Sequence, residues 1–215
     1  VGLSVALVLL LGLAGWFVWD RTRTFPTPTF TSIGYAPEEG DVVFQSLPAG
    51  KMTTLIEGVT DSPLSHCGIV ALDRGRWVVI EAVGPVSETP LEAWIDRGRG
   101  RRVWAYRLAQ SRRDVIPSFV AAARDHLGLP YDRRYRQDDE HIYCSELVHK
   151  SYLAAAGVPL CEPVALRDLD WRPHTARIRE LEGGDPPLDR LLVTPRDLAR
   201  AAALQPVYGP DPGRE

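Results

Sequence analysis

Cys144 is the residue of this chain best placed to do chemistry. It stands in Tyr143-Cys144-Ser145-Glu146-Leu147-Val148, at the start of a segment where Leu147, Val148, Tyr152 and Ala155 recur at helical spacing and Gly157 with Pro159 supplies the stop. A thiol in the first turn of a helix faces unpaired backbone N–H groups and the positive end of the helix dipole, and both favour the thiolate. Its own backbone N–H can help hold the oxyanion of an attacked carbonyl. A buried, inert cysteine is the commoner fate of a free thiol, so the nucleophile reading stands only if a base and an orienting group come to it.

Five histidines compete for the role of base. His126 falls within a predicted helix, His141 sits three residues before the cysteine, His149 lies on another face of the cysteine's own helix, and His174 belongs to a weakly patterned stretch. These four read as surface residues. His66 differs, because it opens the apolar, β-branched run His66-Cys67-Gly68-Ile69-Val70-Ala71-Leu72. A second such run, 77–83, follows after Asp73-Arg74-Gly75-Arg76, whose residue types suit a hairpin loop.

That hairpin brings in the third residue. Facing Leu72 with Trp77 sets Gly68 opposite Glu81 and His66 opposite Val83. Side chains alternate faces along a strand, so His66, Gly68 and Glu81 share one face. Glu81 is then diagonal to His66 at about 7–8 Å between backbones, within reach of a glutamate, with a glycine opposite that leaves room. Val78, Val79 and Ile80 before it imply a buried setting in which a carboxylate needs a partner. The same alternation sends Cys67 to the opposite face, as packing.

The elements that must position this trio belong to an α+β pattern. Residues 41–45 and 102–108 read as further strands, 112–127 as a helix ended by Gly128 and Pro130, and 193–203 as holding a short helix. In front of them, residues 1–19 carry no charge and reach roughly the thickness of a bilayer's hydrocarbon core at about 1.5 Å per residue. With Trp16 and Trp19 as interfacial anchors and no small-residue cleavage site, they read as an uncleaved membrane helix. The chain thus divides into an anchor over 1–20, a proline-rich linker over 21–39, a catalytic domain over 40–208 and a tail over 209–215.

Composition removes several alternatives. The chain has 215 residues, 45% hydrophobic and 25% charged, which is globular rather than disordered. Lys plus Arg number 25 against 28 Asp plus Glu, a net charge of −3 that argues against a nucleic-acid partner. Three cysteines without a CxxC pair argue against a disulfide framework or a zinc site, and the trio calls for no metal and no cofactor. Two charged runs stay open. The arginines 97, 99, 101 and 102, spaced by glycines, read as a solvated loop or a surface for anionic lipid or cell-wall polymer. Asp138-Asp139-Glu140 reads as a surface turn or a seat for a substrate amine.

Taken in order, Gly40-Asp41-Val42-Val43-Phe44-Gln45, Ser65-His66-Cys67-Gly68-Ile69-Val70, Glu81-Ala82-Val83-Gly84-Pro85-Val86, Gly128-Leu129-Pro130-Tyr131-Asp132 and the Cys144 block resemble the YiiX-like branch of the NlpC superfamily of papain-like cysteine hydrolases. Val193-Thr194-Pro195-Arg196-Asp197-Leu198-Ala199 resembles its C-terminal segment. The resemblance covers about residues 40–208. It implies a circularly permuted papain-like fold, an antiparallel sheet packed against helices, in which the histidine strand precedes the cysteine helix. The order His66, Glu81, Cys144 agrees. Cys67 departs from the family's usual aliphatic residue.

What the resemblance implies in function is a hydrolase or acyltransferase acting on an amide, ester or thioester carbonyl through an acyl-enzyme. Cys144, His66 and Glu81 would be its catalytic trio, with Tyr143 a candidate for lining the substrate cleft or supporting the oxyanion. The first expectation is a membrane-anchored amidase or peptidase on the extracytoplasmic side, acting on cell-envelope peptides or acyl-amino acids. A lipid-directed acyl hydrolase or acyltransferase is the alternative, and a catalytically dead envelope-binding module is the reading from another class. The oligomeric state is left open.

Overall fold

The computed structural model describes residues 30–136 and 138–210. The anchor expected over 1–20, residues 21–29 of the linker and the end of the tail lie outside the described residues.

Six strands form one antiparallel sheet, β1 (Val42–Gln45), β2 (His66–Asp73), β3 (Arg76–Ala82), β4 (Val86–Pro90), β5 (Trp104–Leu108) and β8 (Leu204–Tyr208), in the spatial order β4-β3-β2-β1-β5-β8. The helices are α1 (Lys51–Thr60), α2 (Leu91–Arg97), α3 (Ile116–Asp125), α4 (Cys144–Ala156), α5 (Thr175–Glu182) and α6 (Pro195–Ala199). A separate two-stranded ladder joins β6 (Val164–Ala165) to β7 (Leu191–Leu192).

Strand alternation sorts the core into layers. Phe44, Cys67, Ile69, Ala71 and Ile80 face α3 and α4, where Phe119, Leu147, Val148 and Tyr152 meet them. Val43, Val70, Val79 and Ala105 face the other way, onto Tyr35, Trp94 and Ile95. A third cluster around Leu55, Leu166, Leu169 and Ile178 sits away from the sheet, between α1 and α5. Covered on both faces, the first six residues of β2 are all buried, which is why that run reads as continuously apolar.

The hairpin forms in the expected register, Leu72 facing Trp77 and Ile69 facing Ile80. Its turn is tighter than a four-residue loop: Asp73 pairs with Arg76, and Arg74 and Gly75 make the reversal with φ of 46° and 78°, the two positive values a type I′ turn requires. Gly68 is needed for a close approach. A Cβ there would lie 2.4 Å from Val79 Cγ1 and 2.8 Å from the Ile80 carbonyl.

Two expectations change. The helix expected over 112–127 begins only at Ile116, preceded by a 3₁₀ stretch, Gln110–Val115. Pro117 sits in the first turn of α3, where a missing N–H costs nothing; a helix running through 112–117 would press its ring on the Arg113 carbonyl. The linker is also shorter than its composition implies, because the described residues before Gly40 pack on the sheet. Tyr35 is buried, its hydroxyl donates to Asp41 Oδ2 at 2.6 Å, and Arg107 donates to both Asp41 oxygens at 2.7 and 2.8 Å. A buried carboxylate with these donors ties the segment down.

Candidate active site

His66 opens β2 and Cys144 opens α4, and the packing of that helix against the strand brings the two ends together. The imidazole is buried; its Nε2–H donates to Glu81 Oε2 at 2.5 Å, leaving Nδ1 for the hydrogen bond it shares with Cys144. Burial alone lowers the imidazole's pKa, but the hydrogen bonds to Cys144 and Glu81 and their negative charges outweigh it and raise the value to about 9. The Cys144 thiol moves the opposite way, well below the ordinary thiol range. A hydrogen bond from the Cys67 thiol leads, and His66 adds a second bond and its charge, against the opposing effect of burial. The two shifts agree on one state, a thiolate–imidazolium pair.

Glu81 is fully buried and takes four donors. Besides His66, its Oε2 accepts from Trp94 Nε1 at 3.1 Å and Arg97 Nη2 at 2.5 Å, and its Oε1 accepts from Thr89 Oγ1 at 2.6 Å. Burial pushes its pKa up, and the bonds from His66, Arg97 and Thr89 overcome that and bring it to about 2. Thr89, Trp94 and Arg97 are missing from the sequence reading, where Arg97 counts as part of a solvated loop. It is instead the member of that run turned inward, because α2 (Leu91–Arg97) ends beside β3 and β4.

Cys67 requires a correction as well. The alternation is right, since it lies on the face opposite His66, but that is the face α4 covers. Its thiol stands beside the Cys144 sulfur, where its influence is the largest of those that lower the Cys144 pKa. Its own pKa is raised well above the ordinary value, first by burial and then by the thiolate beside it. Cys161 is raised to about 12 by burial and nearby acids.

The sequence pattern of permuted papain-like amidases, the YaeF/YiiX, C92 family, matches residues 36–208. The chain belongs to that family. It is 30% identical over 179 residues to the uncharacterized protein YiiX of Escherichia coli strain K12, covering 82% of this chain and 88% of that one. A crystal structure described as metalloprotein yiiX from Escherichia coli O157:H7 superposes with a TM-score of 0.76 at 31% identity, over 83% of this chain and all of that one. The permuted papain-like α+β fold and a cysteine-hydrolase class follow from this membership. Among the described residues no group of three or more His, Cys, Asp or Glu is arranged to hold a metal ion.

Around Cys144 and His66 the surface opens in two directions. Cys144 and Ser145 line an apolar groove with an empty volume of about 700 Å³, walled by Leu55, Leu166, Leu169 and Leu192 among others. Most of the third hydrophobic cluster is thus groove wall. Its charged members, Arg190 and Glu182, pair with each other at 2.6 and 3.0 Å. His66 lines a second, more polar cavity of about 1000 Å³, and Met52, Ile56 and Leu181 border both.

Tyr143 is 1% exposed, its ring lies 4.8 Å from that of Tyr135, and its hydroxyl accepts the Val193 N–H at 3.0 Å. It lines neither space; Tyr135, held at a positive φ of 54°, lines the groove in its stead. Of the four histidines read as surface residues, His149 is buried on α4. The acidic run is a turn: Asp138 accepts the N–H groups of Glu140 and His141 at 3.0 and 2.7 Å, and Asp139 pairs with Lys150.

Proposed function

We propose that the chain is a cysteine hydrolase that cleaves an acyl amide or ester through Cys144, His66 and Glu81, with an apolar acyl chain in the groove. The observation that carries this reading is the apolar groove ending at the cysteine whose thiolate is favoured. A lipid-linked or fatty-acyl substrate makes use of a wall of leucines, whereas an envelope peptide has little to bury there. This favours acyl-amino acids and lipid-linked compounds over the peptides of the first expectation. A binding module without turnover needs no paired thiolate and imidazolium.

In this mechanism the Cys144 thiolate attacks the carbonyl carbon, and the oxygen takes the negative charge beside the unpaired N–H groups of the first turn of α4. Collapse of that intermediate breaks the bond to the leaving nitrogen or oxygen, which takes the Nδ1 proton of His66, and a thioester remains on Cys144. Neutral His66 then accepts a proton from water, the hydroxide attacks the thioester, and the acid and the thiolate–imidazolium pair are released. Glu81 touches no reacting atom; it is a positioning residue that fixes the ring and stabilises its charge.

A series of N-acyl and O-acyl substrates of rising chain length tests this reading. Trapped intermediate should carry the mass of the acyl group on Cys144, with kcat/KM rising by about tenfold or more per two methylenes until the groove is filled, given about 0.8 kcal/mol per buried methylene. Flat chain-length dependence, together with turnover of short envelope peptides, would return the reading to a peptidase.

The uncharged run over residues 1–19 supports placing this domain at a membrane; the extracytoplasmic side is proposed from an envelope substrate alone, since Arg21 and Arg23 after the run nominally favour a cytoplasmic C-terminal side. Among the described residues no helix is long and apolar enough to cross one, so the anchor rests on the sequence. Full-length protein should sediment with membranes and resist a high-salt wash, while a form starting near Thr24 should stay in the supernatant. Full-length, unprocessed protein recovered without detergent would remove the anchor.

A further inference from the structure

The two spaces that meet at the catalytic pair differ in charge, and the chemistry assigns them different halves of the substrate. In cysteine hydrolysis the imidazolium gives its proton to the leaving atom, so the leaving group lies on the imidazole side. Here that side is the cavity lined by His66, and its lining contains Lys51, Arg133 and Arg177 but no carboxylate. The groove on the Cys144 side is internally neutral, since Arg190 and Glu182 compensate each other.

The cations of the cavity are not balanced in this way. Lys51 and Arg177 share a single acid, Glu180, with Lys51 Nζ 3.3 Å from Oε1 and Arg177 paired to Oε2. The Nε–H of Arg177 is buried and donates to nothing. Arg133 is exposed and has no acid partner among the described residues. Guanidinium groups with free donors beside a cavity match the planar or tetrahedral oxygens of carboxylate and phosphate, which they bind through paired N–H groups. An unpaired buried donor also has a cost that an incoming oxygen would relieve.

We propose that the leaving half of the substrate carries an anionic group, a carboxylate or a phosphate, held by Arg133, Arg177 and Lys51 in the cavity beside His66. The proposal rests on the cysteine-hydrolase reading, which decides which half lies on the imidazole side. Its simplest substrates are acyl-amino acids with a free carboxylate and acylated aminoalcohol phosphates. Met52, Ile56 and Leu181, which border both spaces, then flank the scissile bond.

Binding to full-length Cys144→Ala protein tests this without requiring turnover. Three ligands share one acyl amide: N-octanoylglycine, N-octanoylglycinamide and N-octanoyl-O-phosphoethanolamine. By titration calorimetry at low ionic strength the acid, the phosphate or both should bind about tenfold or more tighter than the neutral amide. That preference should shrink as salt is raised. The tighter of the two anions identifies the source of the charge. Adding Arg133→Gln and Arg177→Gln should bring the ratio of anionic to neutral affinity close to one. Because Arg133 is exposed, Arg133→Gln alone should fold normally and cut the ratio by about threefold. Equal affinity for acid, phosphate and amide, a preference for the amide, or no saturable binding of either anion overturns the proposal. So does a ratio unchanged in Arg133→Gln and in the double variant. Hydrolysis of p-nitrophenyl butyrate by the wild type, lost in Cys144→Ala, checks the hydrolase reading separately. Absence of that activity with the anion preference intact would overturn the enzyme and leave an anionic-acyl binding site.

Discussion

Cys144→Ala is expected to abolish turnover, a loss of at least about a thousandfold, without changing the fold, and His66→Ala to cost nearly as much. The two act as one unit, so the double variant should be hardly worse than either single one. Their separate contributions appear in the chemistry of the thiol. Iodoacetamide at pH 6 should alkylate Cys144 ahead of Cys67 and Cys161, because Cys144 alone has a lowered pKa while burial raises the other two. His66→Ala should slow that labelling by roughly tenfold or more, since it removes the hydrogen bond and charge that stabilise the thiolate. Cys67→Val removes the leading donor to the same sulfur and should slow it too, a result a purely packing cysteine would not give. The pH profile follows from the pair. Activity should persist well below neutrality, where the thiolate survives, and fall as pH rises through about 9, where His66 loses the proton it must deliver. Fast labelling of Cys67 or Cys161 in folded protein, or activity retained by Cys144→Ala, would sink the mechanism.

The main line of this site is legible in the sequence because it depends on short-range rules. The helix stop and start signals around Cys144, the two-residue period of the hairpin and the glycine opposite Glu81 are local, and each survives in the fold with its register unchanged. The support around Glu81 is not local in that sense. Arg97 reads as one arginine among several between glycines, and only the path of β4 into α2, neither of which has a strong periodic signature, turns it toward β3 while Arg99 and Arg101 stay at the surface. Cys67 shows the limit of alternation. Period two correctly separates it from His66, but which face receives the nucleophile's helix is a tertiary fact. The apolar groove is hidden for the same reason, since its wall is gathered from α1, α5 and the stretch between Leu166 and Pro195, where the hydrophobic pattern is weak.

Glu81 is where fold and mechanism depend on the same charge. Its carboxylate is fully buried with the His66 and Arg97 cations on one oxygen. Glu81→Ala should therefore destabilise the protein by about 3–5 kcal/mol, the usual result of removing one member of a buried ionic cluster. The two pKa shifts fix the pH window of that contribution. Glu81, lowered to about 2 from 4.5, contributes fully above the unfolded value and loses its contribution as pH falls toward 2. His66, raised to about 9 from 6.5, contributes fully below the unfolded value and loses it as pH rises through 9. Wild-type urea midpoints should accordingly be flat for this pair between about pH 4.5 and 6.5 and decline on either side. Glu81→Gln keeps the shape and the Thr89 bond but not the charge, leaving Arg97 to repel the imidazolium. The alkaline limb of kcat/KM should then move down by about one unit or more, and labelling of Cys144 at pH 6 should slow, by less than in His66→Ala. A residue that only packed the sheet would lower the yield of folded enzyme and leave the limb at 9. Arg97→Met separates the two roles from the other side: it weakens the hold on Glu81 but removes a positive charge from beside His66, so the limb should stay in place or rise while stability falls.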